Sequence, residues 1–136
     1  MKAIYISIKP IHLNRIVERI KNYEFRNYYP KQEINRLFVY ESSPTCSLKY
    51  VIDIGKVVEY PDKILEDGYG NDLFNKGFKS TRYAYQIKHL YKLDKPISLD
   101  RLRKEFKFNP PQAYAYDDKY KELTMYINNS NLIKMF

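Results

Sequence analysis

Residues 3–26, AIYISIKPIHLNRIVERIKNYEFR, contain three successive patterns that decide the fold. The first six residues are rich in β-formers and predict a strand over 3–8. Apolar residues then recur at helical spacing and predict one buried helix face, formed by Leu13, Ile16, Val17 and Ile20. A strand over 23–29 is expected next, with Tyr23 and Phe25 on one face and Glu24 and Arg26 on the other.

The remaining pattern continues this alternation of strands and helices. Further strands are predicted over 36–41, 48–60, 83–93 and 114–116, and helices over 62–67, 70–75, 98–106 and 118–127. The strand 36–41 is expected to be buried on both faces around Leu37-Phe38-Val39. Gly55 falls inside the long strand 48–60 and predicts a β-bulge or bend. Short strands, one of them bent, with helices between them indicate an α+β fold around a small curled sheet or barrel.

The chain length fits one domain. It has 136 residues and 16.4 kDa, close to the size of about 100–150 residues at which domains cluster. Neither a linker, a repeat nor a change of composition divides it. We therefore expect a single domain over 1–136, with an Asn-rich tail over 128–136 that frays.

Several classes of protein are excluded by composition. No apolar run approaches the roughly 20 residues of a membrane span, and the first ten residues lack the layout of a signal peptide. Cys46 is the single cysteine, so an internal disulfide is impossible. With only His12 and His89 beside it, one chain cannot form a Cys/His zinc site. We expect a cytoplasmic protein with neither a metal nor another cofactor.

Positive charge is concentrated in two blocks. The formal charge is +8, from 24 basic and 16 acidic residues. Residues 1–36 and 76–109 carry net charges of +5 (8 − 3) and +7 (10 − 3), whereas 53–72 carries −4 (2 − 6). Basic surface together with 15 tyrosines and 7 phenylalanines is typical of a nucleic-acid binder. The alternative is a coding bias that favours Lys, Tyr, Asn and Ile.

Three charged residues that could form a binding site lie at the junction of the first helix and the next strand. Lys21 ends the helix, and Glu24 and Arg26 lie on one strand face with Cα atoms about 6–7 Å apart. A carboxylate accepts hydrogen bonds from base N–H groups, while Arg and Lys donate to base carbonyls and phosphates. The three residues could recognise an unpaired base. A salt bridge that only ties strand to helix is the alternative, and both roles are compatible.

The pattern Lys-x-x-Glu-x-Arg after this helix resembles the ASCH domain, a branch of the PUA-like superfamily. Lys21, Glu24 and Arg26 match the charged positions of its signature, Gly-x-Lys-x-x-Glu-x-Arg, but Arg19 replaces the glycine. Further resemblance lies in Tyr40–Pro44, in the strand around Gly55 and in Pro110–Tyr114, so that residues 3–116 are covered. The resemblance is to small archaeal, bacterial and phage proteins that include PUA-like transcriptional regulators. It implies a PUA-like β-barrel surrounded by helices, with an RNA-binding cleft near the first helix.

The predicted binding site combines the basic residues, the motif and the later segments. Its candidate residues are Lys9, Lys21, Glu24, Arg26, Tyr40, Ser42, Ser43 and Tyr114. The expected partner is RNA, another single-stranded nucleic acid or a modified nucleoside, and no membrane. Packing alone is the alternative role for Tyr114, and an ordinary turn is the alternative for Ser42 and Ser43.

Two other functions stay open. Some ASCH relatives are hydrolases of N4-acetylcytidine with a lysine at the position of Lys21, and a ribonuclease activity has been proposed for others. Those amidohydrolases have threonine where this chain has Glu24, and a neighbouring carboxylate raises the pKa of a lysine, which opposes its use as a base. An interaction module for a protein or small metabolite is the remaining alternative.

Overall fold

The computed structural model describes residues 2–78 and 80–136 and is built on a mixed seven-stranded sheet. The strands are β1 (Lys2–Ile8), β2 (Tyr23–Arg26), β3 (Ile34–Glu41), β4 (Ser47–Glu59), β5 (Tyr83–Ser98), β6 (Ala115–Tyr116) and β7 (Leu132–Lys134). The helices are α1 (Pro10–Val17), α2 (Asn71–Asn75), α3 (Leu99–Phe106) and α4 (Lys121–Asn128), with a 3₁₀ turn over Asp117–Tyr120 before α4. Within these residues, no helix combines the length and apolar content that crossing a membrane requires.

The strands follow the order β2-β5-β4-β3-β1-β6, and β7 pairs with β5. β1 and β3 are parallel, and all other neighbours are antiparallel. The sheet curls into a half-barrel with helices on its two faces. The predicted α+β class, with a small curled sheet surrounded by helices, is confirmed.

Both faces of the sheet carry a core, and the central strand β3 shows how. Leu37 and Val39 pack in a first core, under α1. Phe38 and Tyr40 pack in a second core, which includes residues of α3 and α4. Alternate side chains of a strand point to opposite faces, so a strand buried on both sides has an almost continuous apolar sequence. This is the pattern Leu37-Phe38-Val39 from which the buried strand was predicted.

The end of α1 differs from the prediction. The N–H of Arg19 donates to the Ile16 carbonyl and that of Ile20 to the Arg15 carbonyl, the pair of bonds in a Schellman motif. Arg19 accordingly has φ 63°, in the left-handed region where the signature sequence has glycine. The helix therefore ends before Ile20, which is 49% exposed rather than part of the apolar face. The tight turn is kept although the glycine is missing.

The bulge predicted at Gly55 is confirmed. Ile54 pairs with Ile87 and Val57 with Tyr85, so two residues of β4 oppose one of β5. A Cβ at position 55 would lie 2.3 Å from the Gln86 Oε1 atom, which accepts a hydrogen bond from the Lys56 N–H at 3.2 Å. The Gln86 side chain thus occupies the space that glycine leaves.

Several predicted boundaries were wrong for local reasons. β2 ends at Arg26 rather than 29, and β5 continues beyond 93 because Ile97 and Ser98 pair with the start of β4. Residues 62–67 are not helical. There the Asn75 side chain accepts from the Ile64 N–H and donates to the Ile64 carbonyl, both at 2.8 Å, so Ile64 cannot use these groups in a helix.

The C-terminal segment is also more ordered than the sequence predicts. The tail over 128–136 was expected to fray, whereas β7 adds three residues to the edge of β5. The Leu90 carbonyl also accepts the Met135 N–H at 2.8 Å. An Asn-rich composition predicts a loop, but the backbone hydrogen bonds of an edge strand do not depend on it.

Candidate functional site

The turn after α1 brings the three motif residues together. Lys21 follows the Schellman turn, and its N–H donates to the Arg15 carbonyl at 3.0 Å. Its Nζ atom lies 3.4 Å from Glu24 Oε1. Arg26 donates two hydrogen bonds to Glu24 Oε2, from Nε at 3.1 Å and from Nη2 at 2.8 Å. One carboxylate is therefore held between two cations.

This group of three charges is largely removed from water. Lys21 is 4% exposed and Glu24 6% exposed. Burial lowers the pKa of Arg26, but the charge and hydrogen bonds of Glu24, together with Tyr28 and Tyr85, raise it, so that the pKa of Arg26 lies above its ordinary value. These contacts fix the Glu24 carboxylate in position before any ligand arrives.

Arg26 also links the two ends of the curled sheet. Its Nη2 atom donates to the Ser7 carbonyl on β1 at 2.9 Å, although β1 and β2 are not neighbours in the sheet. The guanidinium therefore spans the gap between the edge strand β2 and β1. The fork of N–H donors on arginine allows one side chain to hold Glu24 and this carbonyl together.

Lys21 also contacts an aromatic ring. The Nζ atom of Lys21 lies 4.3 Å from the centroid of the Phe25 ring, within cation–π distance. Phe25 in turn stacks on Phe74 of α2, with centroids 5.6 Å apart and planes at 29°. We call residues 61–77, which contain α2 and four of the six acidic residues of 53–72, the acidic segment. Through Phe74 this segment supports Phe25 and, through it, Lys21.

A pocket of about 500 Å³ opens above these charges. We name it the Glu24 pocket. Its lining residues are Ser7, Ile8, Lys9, His12, Glu24, Phe25, Arg26, Asn27, Tyr28, Thr81, Gln112 and Ala113. Its volume is in the range of small-molecule sites, roughly 300–1,000 Å³. The pocket combines the Glu24 carboxyl group, the basic side chains of Lys9 and Arg26, and aromatic surface.

One wall of the pocket is formed by residues 111–114, which are distant in sequence from the motif. The Tyr28 hydroxyl donates to the Ala113 carbonyl at 2.8 Å, and Ser7 Oγ donates to the Pro111 carbonyl at 3.0 Å. Tyr28 also stacks on Tyr114, with centroids 5.0 Å apart and planes at 29°. Burial raises the pKa of Tyr28, so its hydroxyl stays protonated and available as a donor.

The structure brings together about half of the predicted site. Lys9, Glu24 and Arg26 line the pocket, whereas Lys21 lies beneath it and touches Glu24. Tyr114 lies behind the wall, stacked on Tyr28. The prediction for these residues as binding residues stays a prediction, but their proximity is established.

Three predicted residues lie elsewhere. Tyr40 is opposite Ser7 in the sheet but faces the second core, where its ring lies 6.2 Å from that of Phe108. The Ser42 N–H donates to the Ile8 carbonyl, and Ser43 is exposed in the turn that follows. Neither serine lines the pocket. A strand reverses the direction of its side chains at every residue, so proximity of the backbone did not place Tyr40 in the site.

Sequence reasoning missed several lining residues. His12 lies on α1, three residues after Lys9, and side chains at this spacing lie next to each other on a helix. The spacing could therefore have indicated that both residues line one site. No comparable sequence pattern points to Ser7, Thr81 or Gln112. The Thr81 Oγ1 atom is buried and has no hydrogen-bond partner within residues 2–78 and 80–136. In the same described residues, no three His, Cys, Asp or Glu side chains could hold a metal ion.

Comparison with solved structures identifies proteins of the same fold. No protein-family model matches the chain, and no curated protein does. A crystal structure of ASCH from Zymomonas mobilis aligns with a TM-score of 0.67 and 21% identity, over 96% of both chains. A tyrosine-to-phenylalanine mutant of that organism's ZmASCH aligns with a TM-score of 0.71 and 20% identity, over 96% of this chain and 100% of the other.

A third structure, a serine-to-alanine mutant of ZmASCH, aligns with a TM-score of 0.69 and 23% identity, over 96% of this chain and 97% of the other. At this identity, the agreement concerns the course of the backbone rather than the site residues. It extends over 96% of the chain. The resemblance is thereby confirmed at the level of the fold, and the chain has the fold of the ASCH-domain proteins.

Proposed function

We propose that the protein binds RNA or another single-stranded nucleic acid and holds one unpaired base in the Glu24 pocket. The observation that carries this proposal is the buried carboxylate of Glu24, held between Lys21 and Arg26 at the base of a pocket of about 500 Å³. A fixed carboxylate accepts hydrogen bonds from base N–H groups and does not need to reorganise when the ligand binds.

The surroundings of Glu24 also suit a nucleotide. Lys9 is exposed at the edge of the pocket, where its ammonium group can contact a phosphate. The Tyr28 ring forms part of the wall, and bases stack on tyrosine faces. Cations for the backbone, an acceptor for the base edge and an aromatic surface are the three components of single-strand recognition.

The hydrolase alternative depends on Lys21 and is supported less well. A lysine that acts as a base or nucleophile must lose its proton, but the Glu24 carboxylate at 3.4 Å stabilises the ammonium form. Lys21 is also absent from the residues that line the pocket. Binding without turnover, as in a regulatory RNA-binding domain, is therefore the proposed behaviour.

Lys9→Glu is expected to weaken the binding of a single-stranded RNA roughly tenfold at low salt, because it reverses a charge at the edge of the pocket. Lys9 is exposed, and no salt bridge within the described residues involves it, so the variant should fold normally. Binding is measured by fluorescence anisotropy with single-stranded RNA, duplex RNA and single-stranded DNA at two salt concentrations.

The matched control is Lys95→Glu, which makes the same change of charge at an exposed residue of β5 that does not line the pocket. It should keep most of the affinity. Equal losses in both variants would mean that only net charge matters, which contradicts a defined site. An absence of salt-dependent binding to all three probes would contradict the proposed function itself. Modified nucleosides would then be tested for turnover.

A further inference from the structure

A second concave surface adjoins the Glu24 pocket at Gln112. It is a groove of about 730 Å³ between the end of α3, the segment over 109–115 and the start of α4. We name it the α3–α4 groove. We propose that it binds the nucleotides that flank the base in the pocket, so that the ligand is a strand of several nucleotides rather than a free nucleoside. This inference rests on the proposed function and specifies its ligand.

The first argument is that the two concave surfaces adjoin one another. Gln112 lines both of them. The stacked tyrosine pair also lies between them, since Tyr28 lines the pocket and Tyr114 lines the groove. A strand that leaves the pocket towards the groove would pass this half-buried pair, and tyrosine rings are suitable for stacking with bases.

The second argument is the charge of the groove. Lys107, Lys119 and Lys121 line it. No salt bridge within residues 2–78 and 80–136 involves any of the three. These lysines are therefore available to the phosphates of a single strand. Proteins bind single strands largely through such contacts.

The acidic residues of the groove are largely compensated. Glu105 accepts from Arg101 Nε at 2.9 Å, and Asp118 lies 3.0 Å from Lys2 Nζ. Glu122 is the remaining carboxylate that lines the groove. Lys2 is shared, however, because its Nζ atom also lies 3.3 Å from Asp117, and no salt bridge within the described residues involves Glu122. Three lysines therefore face one carboxylate without a cation and one that shares its cation, which leaves a modest excess of positive charge although the formal count of the lining residues is balanced.

The test compares a charge-reversal variant of the groove with a matched control. The groove variant is Lys107→Glu, Lys119→Glu and Lys121→Glu combined. The control combines Lys63→Glu, Lys76→Glu and Lys95→Glu, three exposed residues that line neither surface. The probes are a labelled single-stranded RNA octamer and a nucleoside monophosphate of the same base, measured over a range of salt concentrations. A variant with glutamine at the same three groove positions provides a milder change.

The groove variant should lose about two units of the slope of log K against log salt for the octamer, since each phosphate contact contributes about 0.7 for a single strand. Its affinity for the octamer should fall roughly 10- to 100-fold at low salt, and its affinity for the monophosphate should not change. The glutamine variant should show a smaller loss in the same direction, and the control should retain most of the slope.

Three results would overturn the proposal. If the groove variant binds the octamer as the wild type does, the groove takes no part and the Glu24 pocket acts alone. If the control loses as much slope as the groove variant, the effect comes from net charge. If the wild type binds the monophosphate as tightly as the octamer, no flanking nucleotides are held. An absence of binding to either probe in the wild type overturns the proposed function together with this inference.

Discussion

Glu24→Gln is expected to lower the free energy of unfolding by about 3 kcal/mol, since removing one member of a buried ion pair typically costs about 3–5 kcal/mol. The change leaves the buried ammonium of Lys21 and the guanidinium of Arg26 without their shared carboxylate. Glutamine keeps one oxygen that can accept from Arg26, but its amide nitrogen cannot accept from Lys21. Urea denaturation followed by circular dichroism measures the effect.

Lys21→Met is the matched comparison. Methionine keeps an unbranched side chain below the pocket, and Glu24 retains its two bonds from Arg26. We therefore expect a smaller loss of stability than for Glu24→Gln. Equal stabilities of Glu24→Gln and the wild type would mean that the group of three charges does not support the fold. The site would then be assembled by its surroundings alone.

Phe74→Ala is expected to cost about 3–5 kcal/mol, the usual range for an aromatic side chain removed from a core. Phe74 is fully buried, stacks on Phe25 and packs edge-on against Tyr60. It anchors the acidic segment to the sheet. Because Phe25 lines the Glu24 pocket, the variant should also weaken RNA binding. Chemical denaturation and the anisotropy titration together measure both effects.

Leu73→Ala provides the control from the same helix. Leu73 is 48% exposed, so its removal should change the free energy of unfolding by no more than about 0.5 kcal/mol. If Phe74→Ala and Leu73→Ala had the same free energy of unfolding, the acidic segment would not be held to the sheet by Phe74. Normal RNA affinity in a folded Phe74→Ala variant would show that Phe25 does not need this support.

The charged part of the site could be predicted because its geometry is local. Lys21 follows a helix end, and Glu24 and Arg26 are two residues apart on a strand, so short-range rules place them together. The bulge at Gly55 and the buried strand around Phe38 are predictable for the same reason. The left-handed conformation of Arg19 could not be derived from its residue type, which disfavours it.

The rest of the pocket depends on contacts between distant parts of the chain. Thr81 and Gln112 reach it from segments that carry no recognisable motif, and the wall forms through the bond from Tyr28 to the Ala113 carbonyl across 85 residues. Tyr40 was assigned to the site because its segment resembles the family, but the direction of its side chain is set by the register of β3 with β1. The curl of the sheet brings β2 towards β1, and Arg26 helps to close the gap between them. No single segment of the sequence encodes this curl.

The most direct test of the pocket is to map the contact surface of a single-stranded RNA octamer by nuclear magnetic resonance. The protein is labelled with ¹⁵N, and backbone amide signals and the Arg26 Nε–H signal are followed during the titration. We predict that the largest shifts occur at Lys9, His12, Arg26 and Tyr28, which line the Glu24 pocket. Shifts confined to the region of Arg36 and His89, which line a separate cavity next to Phe38 of the second core, would contradict this assignment.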